Sequence, residues 1–280
     1  MHEVFAHELS ELLQSEPTQT RALSGGDINE AFDVTLADGR RVFVKGNRNA
    51  PRSMFAAEAK GLSFLRVGPL RIPKVVVAGS NVLVLEFLSP GTRVGDFDEL
   101  LGRGLAELHR NTPASFGADH DNFIGRLPQR NTPEDDWATF YREHRLRAEL
   151  DRAGALVPRA LRRRFDDLFA RLDSLVGPPE PPARLHGDLW GGNLHRDERG
   201  QPCLIDPAVY GGHREVDLAM MRLFGGFSAR VFDAYQEAYP LAEGAEERVS
   251  LYQLYPLLVH VNLFGAGYLG SVDAALRPFA

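Results

Sequence analysis

The chain opens with Val4, Phe5, Glu8, Leu9, Leu12 and Leu13 at helical spacing, which predicts a first helix over 2–15. Short strand-like runs follow at 20–24, 31–36 and 41–45. Ala37-Asp38-Gly39 between the last two signals a hairpin. The pattern returns to a helix over 52–66, then to strands at 74–78 and 82–88 turned at Gly79-Ser80-Asn81. That makes about five strands with one helix inserted after the third. The character changes at Ser89-Pro90-Gly91. Helical spacing dominates afterwards, at 96–110, 133–154, 158–176, 215–224, 228–238 and 246–264. The stretch Gly177-Pro178-Pro179-Glu180-Pro181-Pro182 interrupts the series and leads stiffly into Leu185-His186-Gly187-Asp188. The expected layout is α+β. A sheet-rich lobe over 1–88 precedes a larger helical lobe over 89–280, and the cleft between such lobes is a default ligand site.

Composition narrows the function. With 280 residues, 44% hydrophobic and 25% charged, the chain has ordinary globular usage, which excludes disorder, collagen and a coiled coil. A net charge of -6 provides no overall basic field for nucleic acid or an anionic membrane. No apolar run is longer than Val82-Leu83-Val84-Leu85, far short of a membrane span, and the acidic start does not read as a signal peptide. Cys203 is the single cysteine, so no intramolecular disulfide forms and a cytoplasmic home is expected.

The candidate chemistry lies in Leu185-His186-Gly187-Asp188-Leu189-Trp190-Gly191-Gly192-Asn193-Leu194 and Ile205-Asp206-Pro207. Asn193 follows Asp188 by five residues, and Asp206 follows Asn193 by thirteen. Phosphoryl transfer from ATP needs a carboxylate to orient and deprotonate the attacking hydroxyl, and oxygen ligands for Mg2+ on the phosphates. Protein kinases meet those needs with Asp, Asn and Asp in this order. Asp188 is then the expected base, with Asn193 and Asp206 as metal ligands. An isolated Gly-rich surface turn is the plainer reading, and the second Asp at the right spacing counts against it.

Lys45 ends the third strand on the same face as Phe43. Glu58 shares a helical stripe with Phe55, Leu62 and Leu65, where a carboxylate is costly unless paired. Lys45 is the natural partner, and the pair would hold the lysine toward the phosphates. Gly25 and Gly26 lie where a phosphate-covering loop belongs, although the segment fits neither common glycine-rich phosphate motif and the roles of Asp27 and Glu30 stay open. Glu86, Phe87 and Leu88 fall at the expected hinge, where an adenine would take main-chain hydrogen bonds.

HGDLWGGN followed by DPAVYGGHREVDLAM resembles the fructosamine kinase family, the ketosamine-3-kinases. Phe116-Gly117, Asp121 to Gly125, Leu127-Pro128-Gln129, Asn131, Trp137, Phe140 and Arg145 are similar to that family's middle segment, as are Phe43-Val44-Lys45 and Ala57-Glu58-Ala59. The likeness runs from about 18 to 270. Aminoglycoside and choline kinases share the HGDxxxxN core, but Trp190-Gly191-Gly192 and the REVDLA run point to this family. The resemblance implies a protein-kinase-like two-lobe fold and ATP-dependent phosphorylation of the sugar 3-hydroxyl of ketosamines, free or on protein lysines, which serves deglycation. By position it assigns the proton acceptor to Asp188, the adenine hinge to Glu86, Phe87 and Leu88, and the metal ligands to Asn193 and Asp206. Some eukaryotic relatives carry a cysteine where Asp27 stands, so a thiol switch in that loop is not expected. The short N-terminal arm favours a monomer over a strand-exchanged dimer.

Trp190 is a candidate to stack on a sugar, with loop packing as the alternative. His186 is a candidate substrate contact whose preferred reading is a loop stabiliser. Asn122 and Gln129 could offer amides to a polyhydroxylated substrate or satisfy turns. Asp217 reads as a buried acceptor for loop backbone, Cys203 as packing, and Arg214 with Glu215 as a local pair. Two alternatives stand beside the ketosamine reading. One is a kinase of another hydroxyl acceptor, such as an aminoglycoside or a choline-like alcohol. The other is a non-catalytic nucleotide-binding module. Pro207-Ala208 after Asp206, with a helix close behind, leaves no room for the activation segment of a protein kinase.

Overall fold

The computed structural model describes residues 1–23 and 28–279. Five strands form one antiparallel sheet in the order β1-β2-β3-β5-β4: β1 (Pro17–Leu23), β2 (Glu30–Leu36), β3 (Arg41–Gly46), β4 (Val75–Ala78) and β5 (Val82–Glu86). Alternation along the strands separates two faces. Phe32, Val34, Leu36, Val42, Val44, Val82 and Val84 meet Phe5, Leu9 and Leu13 of α1 (Glu3–Leu13). Phe43, Leu83 and Leu85 face Phe55, Leu62 and Leu65 of α2 (Met54–Leu65). Lys45 shares the α2 face, because it stands two residues from Phe43. Glu86 ends β5 two residues earlier than expected. Its carboxylate accepts from Arg71 at 2.7 Å and from the Lys74 amide at 2.5 Å.

The α2 core continues without a break into the second half of the chain. It takes in Leu101, Leu105 and Leu108 of α3 (Phe97–Arg110), Leu189, Leu204, Val209, and Leu218 of a later helix. A separate core gathers Tyr141, Phe165, Tyr252 and Leu258. Two expected helices are broken. The span 133–154 is α4 (Trp137–Phe140), a π-helical segment Tyr141–Arg147 and α5 (Ala148–Ala153). The wider turn coincides with buried Arg145, whose guanidinium donates to Arg130 O and Asn131 Oδ1 at 2.7 Å and lies 3.8 Å over the Tyr210 ring. The span 158–176 divides into α6 (Arg159–Phe169) and α7 (Leu172–Leu175).

Six further short strands pair as β6 (Asn122–Ile124) with β7 (Leu127–Gln129), β8 (Ala183–Leu185) with β11 (Tyr210–Gly212), and β9 (Leu194–Arg196) with β10 (Pro202–Leu204); the apolar run through Cys203 and Leu204 before Asp206 marks β10 in the sequence, and the other five carry no such mark. Three residues are too few to display a period of two. The remaining helices are α8 (Glu215–Phe224), α9 (Ala229–Ala238), α10 (Ala245–Phe264) and α11 (Leu269–Leu276), the last also unexpected. Arg214 and Glu215 do not pair with each other. Neighbours on one helix diverge, so Arg214 takes Glu180 at 2.7 Å and Glu215 takes Arg248 at 2.6 Å. Cys203 is fully buried in β10. Among the described residues, no helix is long and apolar enough to cross a membrane.

His213 gives this core a pH dependence. It is buried, stacks 5.4 Å from Tyr252, and its Nε2 has no hydrogen-bond partner among the described residues. Burial pushes its pKa from the usual 6.5 down to about 4, opposed by Glu180 and assisted by Arg214 and Arg248. The folded chain therefore holds His213 neutral where the unfolded chain protonates it. His213's own contribution to stability is expected to fall by on the order of 3 kcal/mol as pH drops from about 6.5 to about 4. Carboxyls that burial raises, Asp188 among them, act in the opposite direction over the same range, so the His213 contribution is read as the difference in urea-midpoint slope between wild type and His213→Gln. An unchanged slope in the variant would refute this assignment.

Candidate active site

The site is assembled from the end of β3, the middle of α2, the loop after β8 and the segment after β10. Lys45 Nζ donates to Glu58 Oε1 at 2.6 Å and to Asp206 Oδ1 at 2.7 Å, with the lysine side chain only 7% exposed. Burial penalises its charge, but the two carboxylates outweigh that cost and hold the ammonium above its ordinary pKa. The pairing expected from the helical stripe is present, and Asp206 joins it from far along the chain.

The catalytic-loop candidate is held by backbone hydrogen bonds. Asp217 of α8 accepts from the His186 amide at 2.8 Å and the Gly187 amide at 2.9 Å. Its other contact is His109 Nε2 at 3.3 Å, and His109 Nδ1 meets Tyr235 OH at 2.8 Å. Asp217 is thus the buried acceptor the sequence suggested. Gly187 sits at φ +78°, and a Cβ there would lie 2.1 Å from Ala208 O, so only glycine permits this approach. Asp206 is one of two non-glycine residues with positive φ among the described residues, at 54°. A conformation of that kind concentrates at functional sites.

Asp188 and Asp206 are linked through Asn193. Asn193 Nδ2 donates to Asp188 O at 2.8 Å, Asp188 Oδ2 at 3.1 Å and Asp206 O at 3.3 Å. That leaves its side-chain Oδ1 without an internal partner among the described residues, while its main-chain oxygen accepts from the Ile205 amide at 3.1 Å. Burial raises the Asp188 carboxyl to about 7; the Asn193 hydrogen bond opposes the rise and the negative charges of Asp206 and Asp217 add to it. A carboxyl in this range suits proton acceptance near neutral pH.

Lys45, Glu58, Asn122, Asp188, Trp190, Asn193 and Asp206 all line one cavity of about 590 Å³. Asn122 lines it with both amide atoms engaged internally. Its Nδ2 donates to Val209 O at 2.8 Å, and its Oδ1 accepts from Gln129 at 2.7 Å and Asn131 at 2.9 Å. Gln129 is buried away from the cavity between Asn122, Ala208 O and Tyr255 OH, so it straps the segment after Asp206 and offers no group to a substrate. His186 is also removed from substrate contact. It is fully buried, with Nε2 on Ile205 O at 2.9 Å and Nδ1 accepting from the Asp188 amide at 3.3 Å. Trp190 is 43% exposed and covers Gly192, where a Cβ would lie 2.2 Å from its ring. Glu86, Phe87 and Leu88 do not line this cavity. Arg41 lies 3.8 Å over the Phe87 ring, and Leu88 O meets His195 Nε2 at 3.4 Å. Gly25, Gly26 and Asp27 lie outside the described residues.

The sequence reading missed the remaining lining, made of Phe123 and Ile124 of the β6–β7 hairpin, Met220 and Phe224 of α8, and Val259, His260, Phe264 and Tyr268. All but His260 are hydrophobic residues, and in sequence they look the same as core.

Residues 1–279 match the fructosamine kinase family. The chain belongs to that family. A probable ketoamine kinase of Thermus thermophilus is 41% identical over 258 residues, covering 91% of this chain and 91% of that one. The chloroplastic protein-ribulosamine 3-kinase of Arabidopsis thaliana is 36% identical, covering 97% of this chain and 85% of that one. A solved structure from Thermobifida fusca, named as a candidate fructosamine-3-kinase, superposes with a TM-score of 0.90 at 39% identity, covering 98% of this chain and 97% of that one. An aminoglycoside phosphotransferase shares the fold at a TM-score of 0.64 and 18% identity. The α+β layout expected from the element pattern, and the kinase-like fold that the resemblance implies, are the observed ones, and this member of the fructosamine kinase family is an enzyme of the kinase class.

In this kinase the loop depends on Asp217. Asp217→Ala would leave two buried backbone donors without an acceptor and is expected to cost about 3 kcal/mol of folding stability. Urea denaturation reads the loss directly. A change below about 1 kcal/mol would show that the loop holds itself.

Proposed function

We propose that this chain transfers the γ-phosphoryl group of ATP, with Mg2+, to the sugar 3-hydroxyl of ketosamines, a reaction that serves deglycation of amines or protein lysines. The observation that carries this reading is the convergence of the Lys45–Glu58 pair with Asp188, Asn193 and Asp206 on one cavity. The names of the relatives favour a ketosamine as acceptor.

The residues fit the metal and nucleotide. Two carboxylates and an amide carbonyl are hard oxygen donors, and Mg2+ is usually held by one or two carboxylates with substrate phosphates rather than by a full protein cage. Among the described residues, no group of three or more His, Cys, Asp or Glu could form such a cage. Asn193 and Asp206 would hold the ion, which when bound supplies charge neutralisation on the phosphates. Lys45 holds a fixed positive charge toward the phosphates, oriented by Glu58. Asp188 orients the attacking hydroxyl and accepts its proton at a carboxylate oxygen. Residues 1–88 then form the nucleotide side, with Glu86, Phe87 and Leu88 as the adenine hinge. Residues 89–280 form the acceptor side.

The charge pattern disfavours an aminoglycoside acceptor. Among the described cavity residues the carboxylates are Glu58, Asp188 and Asp206, and Glu58 and Asp206 are already engaged with Lys45. A polycation would find no further acidic wall.

Asp188→Asn is expected to lower turnover by about 10²–10⁴-fold while ATP binding is retained. The measurement is ADP release from Mg-ATP with ribuloselysine, fructoselysine, kanamycin and choline as acceptors. Near-normal turnover in the variant would remove Asp188 from its role. Turnover with kanamycin or choline alone would move the acceptor class.

A further inference from the structure

The cavity is chemically divided. Its charged groups among the described residues, Lys45, Glu58, Asp188 and Asp206, gather at the catalytic end. The same cavity also carries an aromatic cluster. The Phe224 and His260 rings stack at 4.5 Å and 28°, with Phe264 5.3 Å and Tyr268 5.0 Å from His260. Phe264 and Tyr268 lie 6.1 Å apart. His260 adds no charge to this wall. Its Nδ1 donates to Pro256 O at 2.7 Å, and burial lowers its pKa, so the ring is neutral at physiological pH.

Phe264 is 50% exposed although it belongs to this cluster. Among the described residues, the large hydrophobic side chains left exposed are Val4, Leu12, Val76, Leu156, Trp190 and Phe264. The two aromatic members both line this cavity. Exposed aromatic surface that is continuous with a reaction site marks a place where a ligand completes the burial.

We infer that Phe224, His260, Phe264 and Tyr268 form the subsite for the carbon chain borne on the amine nitrogen of the acceptor, and that this subsite selects uncharged alkyl chains over charged ones. The inference rests on the ketosamine reading above and deepens it. A ketosamine places its sugar hydroxyl at Asp188 and must send the substituent on its nitrogen elsewhere. The aromatic wall belongs to the same cavity, so it offers that substituent an apolar path. Alkyl carbons gain from leaving water against these rings. A carboxylate on the same substituent would lose hydration and, beyond the adduct's own ammonium, meet no cation among the described lining residues, because the one lysine there is held by Glu58 and Asp206 and Arg126 at the rim already donates to Leu263 O. The tetramethylene stem of a lysine adduct satisfies the same requirement, with its polar end beyond the rings.

The test is a series of ribulosamines carrying N-methyl, N-butyl and N-carboxymethyl groups, assayed by Mg-ATP turnover with wild type, Phe264→Ala and Tyr268→Ala. Each buried methylene is worth a factor of about three to four, so kcat/KM is expected to rise at least about tenfold from N-methyl to N-butyl. The N-carboxymethyl adduct should fall below the N-methyl one. Both variants should flatten the rise, with the change in KM rather than kcat. Phe264 is half exposed, so an unchanged melting temperature will show that Phe264→Ala keeps the fold. Turnover of the N-methyl adduct with no gain for N-butyl would overturn the inference and leave the ketosamine reading standing. A variant that raises the KM for ATP while keeping the chain-length dependence would overturn it too, by giving the wall to the nucleotide. Failure of every ketosamine would overturn both.

Discussion

A buried ammonium at the end of β3 is the constraint on which the site depends. Lys45 cannot stay charged in that position without carboxylates in contact, and it finds one on α2 and another after β10. One cation therefore joins the sheet, the inserted helix and the segment that follows the candidate catalytic loop. The α2 core passes through the same junction, from Leu83 and Leu85 to Leu204 and Val209. Apolar packing brings the parts together, and the ion pairs set their register to within a hydrogen bond.

A second hub holds the loop. Asp217 receives two backbone amides, while His186, Asn122 and Gln129 secure the segment from Ile205 to Val209. Polar residues beside the motif thus act on the backbone, and the groups turned toward the cavity are fewer than the motif suggests. Asn193 bridges the two segments, keeping Asp188 and Asp206 at a fixed separation without placing a cation between them. The acidic groups share one cavity with a set of uncharged aromatic rings.

The corrections share a physical origin. His186 and Gln129 are polar residues near the motif, and proximity in sequence does not reveal whether a side chain faces solvent, a ligand or the backbone of a neighbouring loop. Arg214 and Glu215 are adjacent and opposite in charge, yet a helix turns consecutive residues apart and each found a partner elsewhere. The π-helical segment around Arg145 has no signature in hydrophobic spacing, because it arises from accommodating one buried guanidinium.

The sequence by itself determined the elements with long periods, the hairpin at Asp38-Gly39, the face shared by Phe43 and Lys45, and the order Asp188, Asn193, Asp206. These are local, since they follow from backbone periodicity, turn chemistry and spacing within one loop. Tertiary structure alone decided that Asp206 would reach Lys45, that β6 to β11 would pair as three short ribbons, and that α8 and α10 would turn an aromatic wall toward the same cavity. Each of those depends on contacts between distant segments. An apolar residue on a helix carries the same sequence signal whether it fills a core or waits for a ligand.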